Sequence, residues 1–202
     1  DMGVLPDYYP GGLDLSQADA IREKWGETAP LDKGLTALEM IDKAASGEIK
    51  ALVVYRVNPV VDFPGGGKVT QALQKLDLLV VHDMMETETA ALADYVIPSN
   101  GPGFDEGTTT NIGARVQQRN KGLTADNPSD WKIVSMMAKA LGAEVTYKTT
   151  WDVTAEIAEK VTGYSEVRRK TIRKVGLNRD AVPQSANGAV PAVESAAAVN
   201  GA

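Results

Sequence analysis

Residues 76–117 read LDLLVVHDMMETETAALADYVIPSNGPGFDEGTTTNIGARVQ. The opening, Leu76 to Val81, is a short apolar run closed by the polar pair His82-Asp83. A continuous apolar run of that length, with polar residues at its end, is the pattern of a strand buried on both faces of a parallel sheet. Residues 84–93 suit one or two helical turns. Ala93 to Pro98 reads as a second strand, ended by the proline. Ser99 to Arg115, rich in Gly, Asn, Ser and Thr, reads as a long loop. The unit is therefore strand, loop, short helix, strand, long loop, with the polar residues gathered after the strand ends.

Working outward, the same alternation continues. Upstream, Asp1 to Pro30 reads as extended loop, with a helical turn over Ile21 to Trp25 ended by Gly26. Thr36 with Glu39 has the capping-box form, and Leu35, Leu38, Ile41, Ala44 and Ala45 keep helical spacing up to Gly47. Ile49 to Val57 is a buried strand, broken by Asn58-Pro59, and Phe63 to Gly67 is a glycine turn. Val69, Ala72, Leu73 and Leu76 space a short helix into the central stretch. Downstream, Asn127-Pro128 predicts a helix start, with Trp131, Val134, Met137, Ala138 and Leu141 as its buried stripe. Val145 to Tyr147 is a candidate strand. Asp152 to Thr162 is a helix with Val153, Ile157 and Val161 on one face. Ser165 to Val175 is a basic, exposed helix. After Gly176 the periodicity fails, and Ser185 to Ala202 carries one charge, Glu194. That composition predicts a disordered tail. The reading divides the chain into an α/β domain over 1–163, a basic helix and linker over 164–184, and the tail over 185–202. The domain is a mostly parallel sheet flanked by helices, Rossmann-like, and its ligands belong outside the carboxyl ends of the strands.

Composition removes several classes of function. The 202 residues carry a formal net charge of -6, which argues against a broad nucleic-acid surface. No apolar run reaches the length of a membrane span, and the start carries no signal-peptide pattern. With no cysteine and a single histidine, His82, neither an internal iron–sulfur cluster nor a Cys/His zinc site can form. A reducing compartment fits. The first residue is Asp, so the chain reads as a processed product or a piece of something longer.

Individual motifs are weak. Gly65-Gly66-Gly67-Lys68 is not a phosphate loop, because Val69 stands where Ser or Thr is required and Asp62 where Gly is required. Thr87-Glu88-Thr89 suits a helix cap. Gly107-Thr108-Thr109-Thr110-Asn111 offers hydroxyls and backbone donors, and is equally an exposed turn. His82 beside Asp83 suits a general base, yet a strand-end histidine is more often structural. Arg168, Arg169, Lys170, Arg173 and Lys174 read as a solvated face.

The order of motifs carries more. DMGVLP with a nearby Pro-Gly, GEIKALVVYRVNP, LDLLVVHD, TETA-x-x-ADYVIP, GT-x-TN followed by R-x-Q, and Asp130-Trp131 opening a helix that ends in Leu-Gly together resemble the molybdopterin oxidoreductase family. That family includes formate dehydrogenase catalytic subunits and the large iron–sulfur subunit of NADH-quinone oxidoreductase, respiratory complex I. The resemblance covers Asp1 to Gly142. It implies that the loops line the guanine-dinucleotide ends of a pterin cofactor. By position it nominates Asn58, Asp83, Thr87, Glu88, Thr89, Gly107, Thr108, Asn111 and Arg115. No catalytic residue and no metal ligand is nominated.

Three departures shape the expectation. Arg56 stands where the family usually has Gly, and Phe104 and Gly113 stand where it usually has Glu. A bulky cation at a glycine position and two lost carboxylates favour the NADH-quinone oxidoreductase subunit, as structural support for electron transfer. On that reading no cofactor is bound by this chain, and the iron–sulfur clusters lie in the missing upstream region. Partners are other peripheral-arm subunits, without nucleic acid and without direct membrane insertion. The location is cytoplasmic, peripheral on the inner face of the plasma membrane. The alternative is part of a molybdenum formate-dehydrogenase-like catalytic subunit that binds molybdopterin guanine dinucleotide. A nucleotide-free α/β interaction module is a third reading.

Overall fold

The computed structural model describes residues 5–111, 113–172 and 177–178. The predicted tail lies outside these residues. At the centre is a three-stranded parallel sheet of β3 (Ala51–Tyr55), β4 (Leu78–Asp83) and β5 (Tyr95–Pro98), with β4 in the middle. The register pairs Val54 with Val81 and Val81 with Val96. This is the α/β fold with a parallel sheet flanked by helices that the sequence predicts.

One face of the sheet is well covered. α2 (Ala37–Ser46) opens with the predicted capping box, in which Thr36 Oγ1 accepts from the Glu39 amide and Glu39 reaches back to the Thr36 amide. Losing such a cap costs about 1 kcal/mol. α4 (Gly66–Leu73) follows the four-residue α3 (Pro59–Asp62). Gly66 and Gly67, expected in a turn, form the first turn of α4. Ile41 and Ala44 of α2, and Val69, Ala72 and Leu73 of α4, pack on Val54, Leu79 and Val81.

The opposite face is more open than the apolar runs suggest. Val80 and His82 are buried, but Val53, Tyr55 and Leu78 are each more than a third exposed, and Tyr95 is 66% exposed. Only the central strand, from Leu79 to Asp83, is therefore shielded on both faces.

The predicted long loop over 99–115 is half strand. β6 (Gly107–Thr110) and β7 (Arg115–Arg119) form an antiparallel hairpin, and β7 also pairs with β8 (Leu177–Asn178). Threonines suit a half-buried pleat, which overrides their turn reading. Over this sheet lies α6 (Thr150–Lys160). A second core forms from Val116, Val161, Tyr164, Val167 and Ile172. The described part of the predicted basic helix, 165–172, is instead a succession of turns that buries Val167 and Ile172. Val145 to Tyr147 forms no strand. Tyr147 donates to Glu156 of α6 instead.

The N-terminal segment also holds more order than its prolines suggest. β1 (Tyr8–Tyr9) and β2 (Leu13–Asp14) make a small hairpin before α1 (Ala18–Trp25). Gly11 has φ +91°, and a Cβ there would sit 2.8 Å from the Thr162 amide nitrogen. Only glycine permits that approach of the hairpin to the end of α6.

Candidate functional site

The carboxyl ends of β3 and β4 carry the first group of nominated residues. Asn58 stands at the N-terminus of α3, three residues after β3, with its side chain free of any capping bond, while Asp83 ends β4 and Thr87 to Thr89 follow it. The Asn58 amide ties the two connections together. Its Nδ2 donates to Glu88 Oε2 at 2.7 Å, and its Oδ1 accepts from the Thr89 amide at 3.2 Å and the Thr89 hydroxyl at 2.7 Å. Thr89 Oγ1 accepts in turn from the Val60 amide. Thr89 is fully buried, so its hydroxyl serves the fold.

The acidic groups differ in their surroundings. Asp83 is 9% exposed, and its Oδ1 accepts from the amides of Met84 and Met85. Glu88 is exposed, and its carboxyl is held below the ordinary value by its own backbone amide and by Asn58. Thr87 Oγ1 accepts from the Ala90 amide and so caps the short 3-10 turn Ala90–Leu92, the local role that spacing suggests.

Gly107, Thr108, Asn111 and Arg115 belong to the second sheet. Gly107 and Thr108 pair with Arg119 and Gln118. Asn111 closes the hairpin, its amide donating to the Arg115 carbonyl and its Oδ1 accepting from the Arg115 amide. The nominated residues thus fall into two groups, on two sheets with separate cores.

A third cluster joins all three parallel strands to α5 (Asp130–Ala140). Arg56 follows β3 with φ +49°, in the left-handed region. That is the position where a glycine was expected from the family pattern, and for a non-glycine residue it costs on the order of 1 kcal/mol. Its Nη2 lies 2.6 Å from Asp130 Oδ2, its Nε donates to Ser99 Oγ, and Nη2 also reaches the Asn100 carbonyl. These partners lie just after β5 and at the start of α5, and none of them belongs to the Asn58–Glu88–Thr89 cluster.

Ser99 donates to Asp130 Oδ1, and the Asn100 amide donates to the carbonyls of Asn127 and Pro128. Asn127 and Pro128 hence precede the helix rather than start it, and Ser129 is the cap. His82 is fully buried. Its Nδ1 faces the Ile97 carbonyl at 3.0 Å, and since a carbonyl only accepts, Nδ1 carries the proton. Its Nε2 lies 3.1 Å from Asp130 Oδ1 but off the direction of a hydrogen bond, and it has no hydrogen-bond partner among the described residues. Sequence reasoning did not nominate Asp130, Ser99 or Asn100. The Asp130-Trp131 pair marked the helix, but its partners lie far away in sequence.

The predicted stripe of α5 also needs correction. Ile133 is its buried residue, while Val134 is 48% and Leu141 88% exposed. No group of His, Asp or Glu with metal-holding geometry occurs among the described residues.

A parallel sheet with polar side chains gathered beyond the carboxyl ends of its strands defines an α/β protein of the kind that places its ligands at those ends. Residues 15–160 match the family model described as molybdopterin oxidoreductase, and the chain belongs to that family. It is 33% identical over 171 residues to the NADPH-Fe(3+) oxidoreductase subunit alpha of Geobacter sulfurreducens, covering 84% of this chain and 20% of that protein. It is 34% identical over 185 residues to a formate dehydrogenase subunit alpha of Methanococcus maripaludis, covering 88% of this chain and 27% of that protein. The chain thus spans about a quarter of the length of these relatives. Acetylene hydratase from Pelobacter acetylenicus shares the fold, with a TM-score of 0.60 at 16% identity over 82% of this chain and 24% of that one. Neither relative is named as a quinone reductase, and these matches favour the formate-dehydrogenase-like alternative over the reading drawn from Arg56, Phe104 and Gly113.

Proposed function

We propose that this chain is the strand-end nucleotide portion of an oxidoreductase alpha subunit of the formate dehydrogenase type. Its task there is to hold the guanosine end of a molybdopterin guanine dinucleotide. The observation that carries this is the Asn58–Glu88–Thr89 cluster beside Asp83, at the carboxyl ends of adjacent parallel strands. Two carboxylates and an amide form a set rich in acceptors. Such a set matches the N–H groups of a guanine edge or the hydroxyls of a ribose, each of which donates.

The cofactor, when bound, supplies the redox chemistry, and this chain supplies binding and orientation. Asp83 is fixed by two backbone amides through Oδ1, and Glu88 is fixed by Asn58. Both are pre-set before a ligand arrives, which lowers the ordering cost of binding. Partner subunits fit this reading, since the Geobacter and Methanococcus relatives are named as alpha subunits.

The test is a titration of the 202-residue chain with guanosine, followed by amide NMR. Shifts centred on Asn58, Asp83 and Glu88, lost in Asp83→Asn, are expected. Shifts confined to the second sheet, or none at millimolar guanosine, would overturn the proposal.

A further inference from the structure

The three connections that follow the parallel strands have a one-sided charge inventory. Residues 56–62, 82–89 and 99–104 contain Asp62, Asp83, Glu86 and Glu88, against a single Arg or Lys, Arg56. A phosphate arriving at these strand ends would meet carboxylates from two connections, and repulsion between like charges would oppose it. Arg56, itself paired with Asp130 of α5, is the one cation these connections offer to a phosphate.

Its geometry suits the task. The left-handed backbone at φ +49° turns the residue at the very end of β3, where a glycine would otherwise leave no side chain. Nε and Nη2 are held by Ser99, Asn100 and Asp130, which fixes the plane of the guanidinium. Among the described residues Nη1 has no partner, and the side chain is 36% exposed. A guanidinium pinned along one edge and open on the other is a pre-positioned donor for a phosphate oxygen.

We propose that Arg56 is the phosphate contact at these strand ends, and so sets their preference for a nucleotide diphosphate over a nucleoside. This rests on the guanosine reading above and adds the anionic half of the ligand to it. Asp130 remains in place as the group that orients Arg56, and the phosphate takes the Nη1 edge.

The experiment compares guanosine with GDP as probes on the 202-residue chain by calorimetry, in wild type, Arg56→Gly and Arg56→Lys. Glycine is at ease at positive φ, so Arg56→Gly removes the guanidinium without adding backbone strain. The wild-type chain is expected to prefer GDP at least about tenfold, the scale of one charge-assisted hydrogen bond. The affinity ratio should fall towards one in Arg56→Gly and be partly restored in Arg56→Lys, and wild-type GDP binding should weaken with added salt. A GDP preference that survives in Arg56→Gly overturns the assignment while the guanosine reading stands. If neither probe binds wild type, the guanosine reading falls and this inference with it.

Discussion

The Thr89 hydroxyl donates a 2.7 Å hydrogen bond to Oδ1 of Asn58, 31 residues earlier in the chain. With the bonds from Asn58 Nδ2 to Glu88, from the Thr89 amide to Asn58 and from the Val60 amide to Thr89, it joins the connections after β3 and β4. It also orients the Asn58 amide, so that Nδ2 is aimed at Glu88. One buried hydroxyl therefore sets the shape of the candidate site.

Thr89→Val removes this hydroxyl at nearly constant volume. It leaves Asn58 Oδ1 short of a donor and the Val60 amide without its acceptor. Stability is expected to fall by about 1–3 kcal/mol, the cost of unpaired buried polar groups. Thr89→Ser should recover most of that loss. Urea unfolding of both variants measures it, and equal losses in Val and Ser would assign the effect to packing instead of the hydroxyl.

Leu79 is 1% exposed at the centre of β4, packed in the core beneath α2 and α4. Leu79→Ala should cost about 2–5 kcal/mol, the range for a buried leucine cut back to a methyl group. A change within about 0.5 kcal/mol in denaturant unfolding is the range of surface substitutions and would contradict this packing.

Asp130 forms an ion pair with Arg56, accepts from Ser99 and lies beside His82, so it anchors α5 to three strand ends. Asp130→Ala removes the ion-pair partner of the Arg56 guanidinium and the acceptor of the Ser99 hydroxyl together. Because the ion pair is about one-third exposed, water takes up part of the loss, and about 1–3 kcal/mol is expected. The double variant with Arg56→Gly should lose less than the sum of the single changes, since the same pair is removed only once. Strict additivity in a double-mutant cycle would show that the two residues act independently.

The fold was legible where periodicity is local. Ile49 to Val57 and Leu76 to Val81 announce strands, and Thr36 with Glu39 announces a helix, because the signals lie within a few residues of each other. The threonine run 108–110 was misread. A hairpin strand and a polar loop share that composition, and only pairing with Arg115–Arg119 separates them. The described part of Ser165 to Val175, residues 165–172, was misread because its charges mask Val167 and Ile172, which bury against Val116. At the site, Asn58, Glu88 and Thr89 were nominated by motif order and do meet. Asp130 was not, since nothing near it in sequence betrays the distant strand ends whose groups it accepts.

Tyr147 and Glu156 give a pH signature to the second core's flank. Glu156 is held below 4.5 by Lys160, 2.7 Å away, and by the Tyr147 hydroxyl. A depressed carboxyl adds stability above its unfolded value, and that stability is lost as pH falls through the folded value. Tyr147 is pushed up to about 12 by its bond to Glu156, so its contribution is complete below 10 and is lost as pH rises through about 12. Wild type should therefore exceed Tyr147→Phe in melting temperature across neutral pH, by less than about 1 kcal/mol given the partial exposure. The gap should close at both extremes. Thermal melts from acid to alkaline pH test this, and a gap that persists well below pH 4.5 would remove Glu156 from the account.

The open face of the parallel sheet gives the last prediction. The register places Val53 beside Val80 and Val80 beside Tyr95, so Val53, Val80 and Tyr95 point the same way. α5 reaches only the carboxyl end of this face, where Tyr55 Oη approaches Met137 Sδ at 3.2 Å. Val53 at 40% and Tyr95 at 66% exposure lie beyond its reach. Parallel sheets are ordinarily covered on both faces, and an apolar patch left in water favours association. The 202-residue chain alone should therefore self-associate as its concentration rises. Val53→Lys with Tyr95→Lys should hold it monomeric in sedimentation velocity. Because both side chains are exposed, cooperative melting should survive, with stability shifted by about 0.5 kcal/mol or less per site. A wild-type chain that stays monomeric at high concentration would mean that this face tolerates water as it stands. Loss of cooperative melting in the double variant would mean that Val53 and Tyr95 belong to the core.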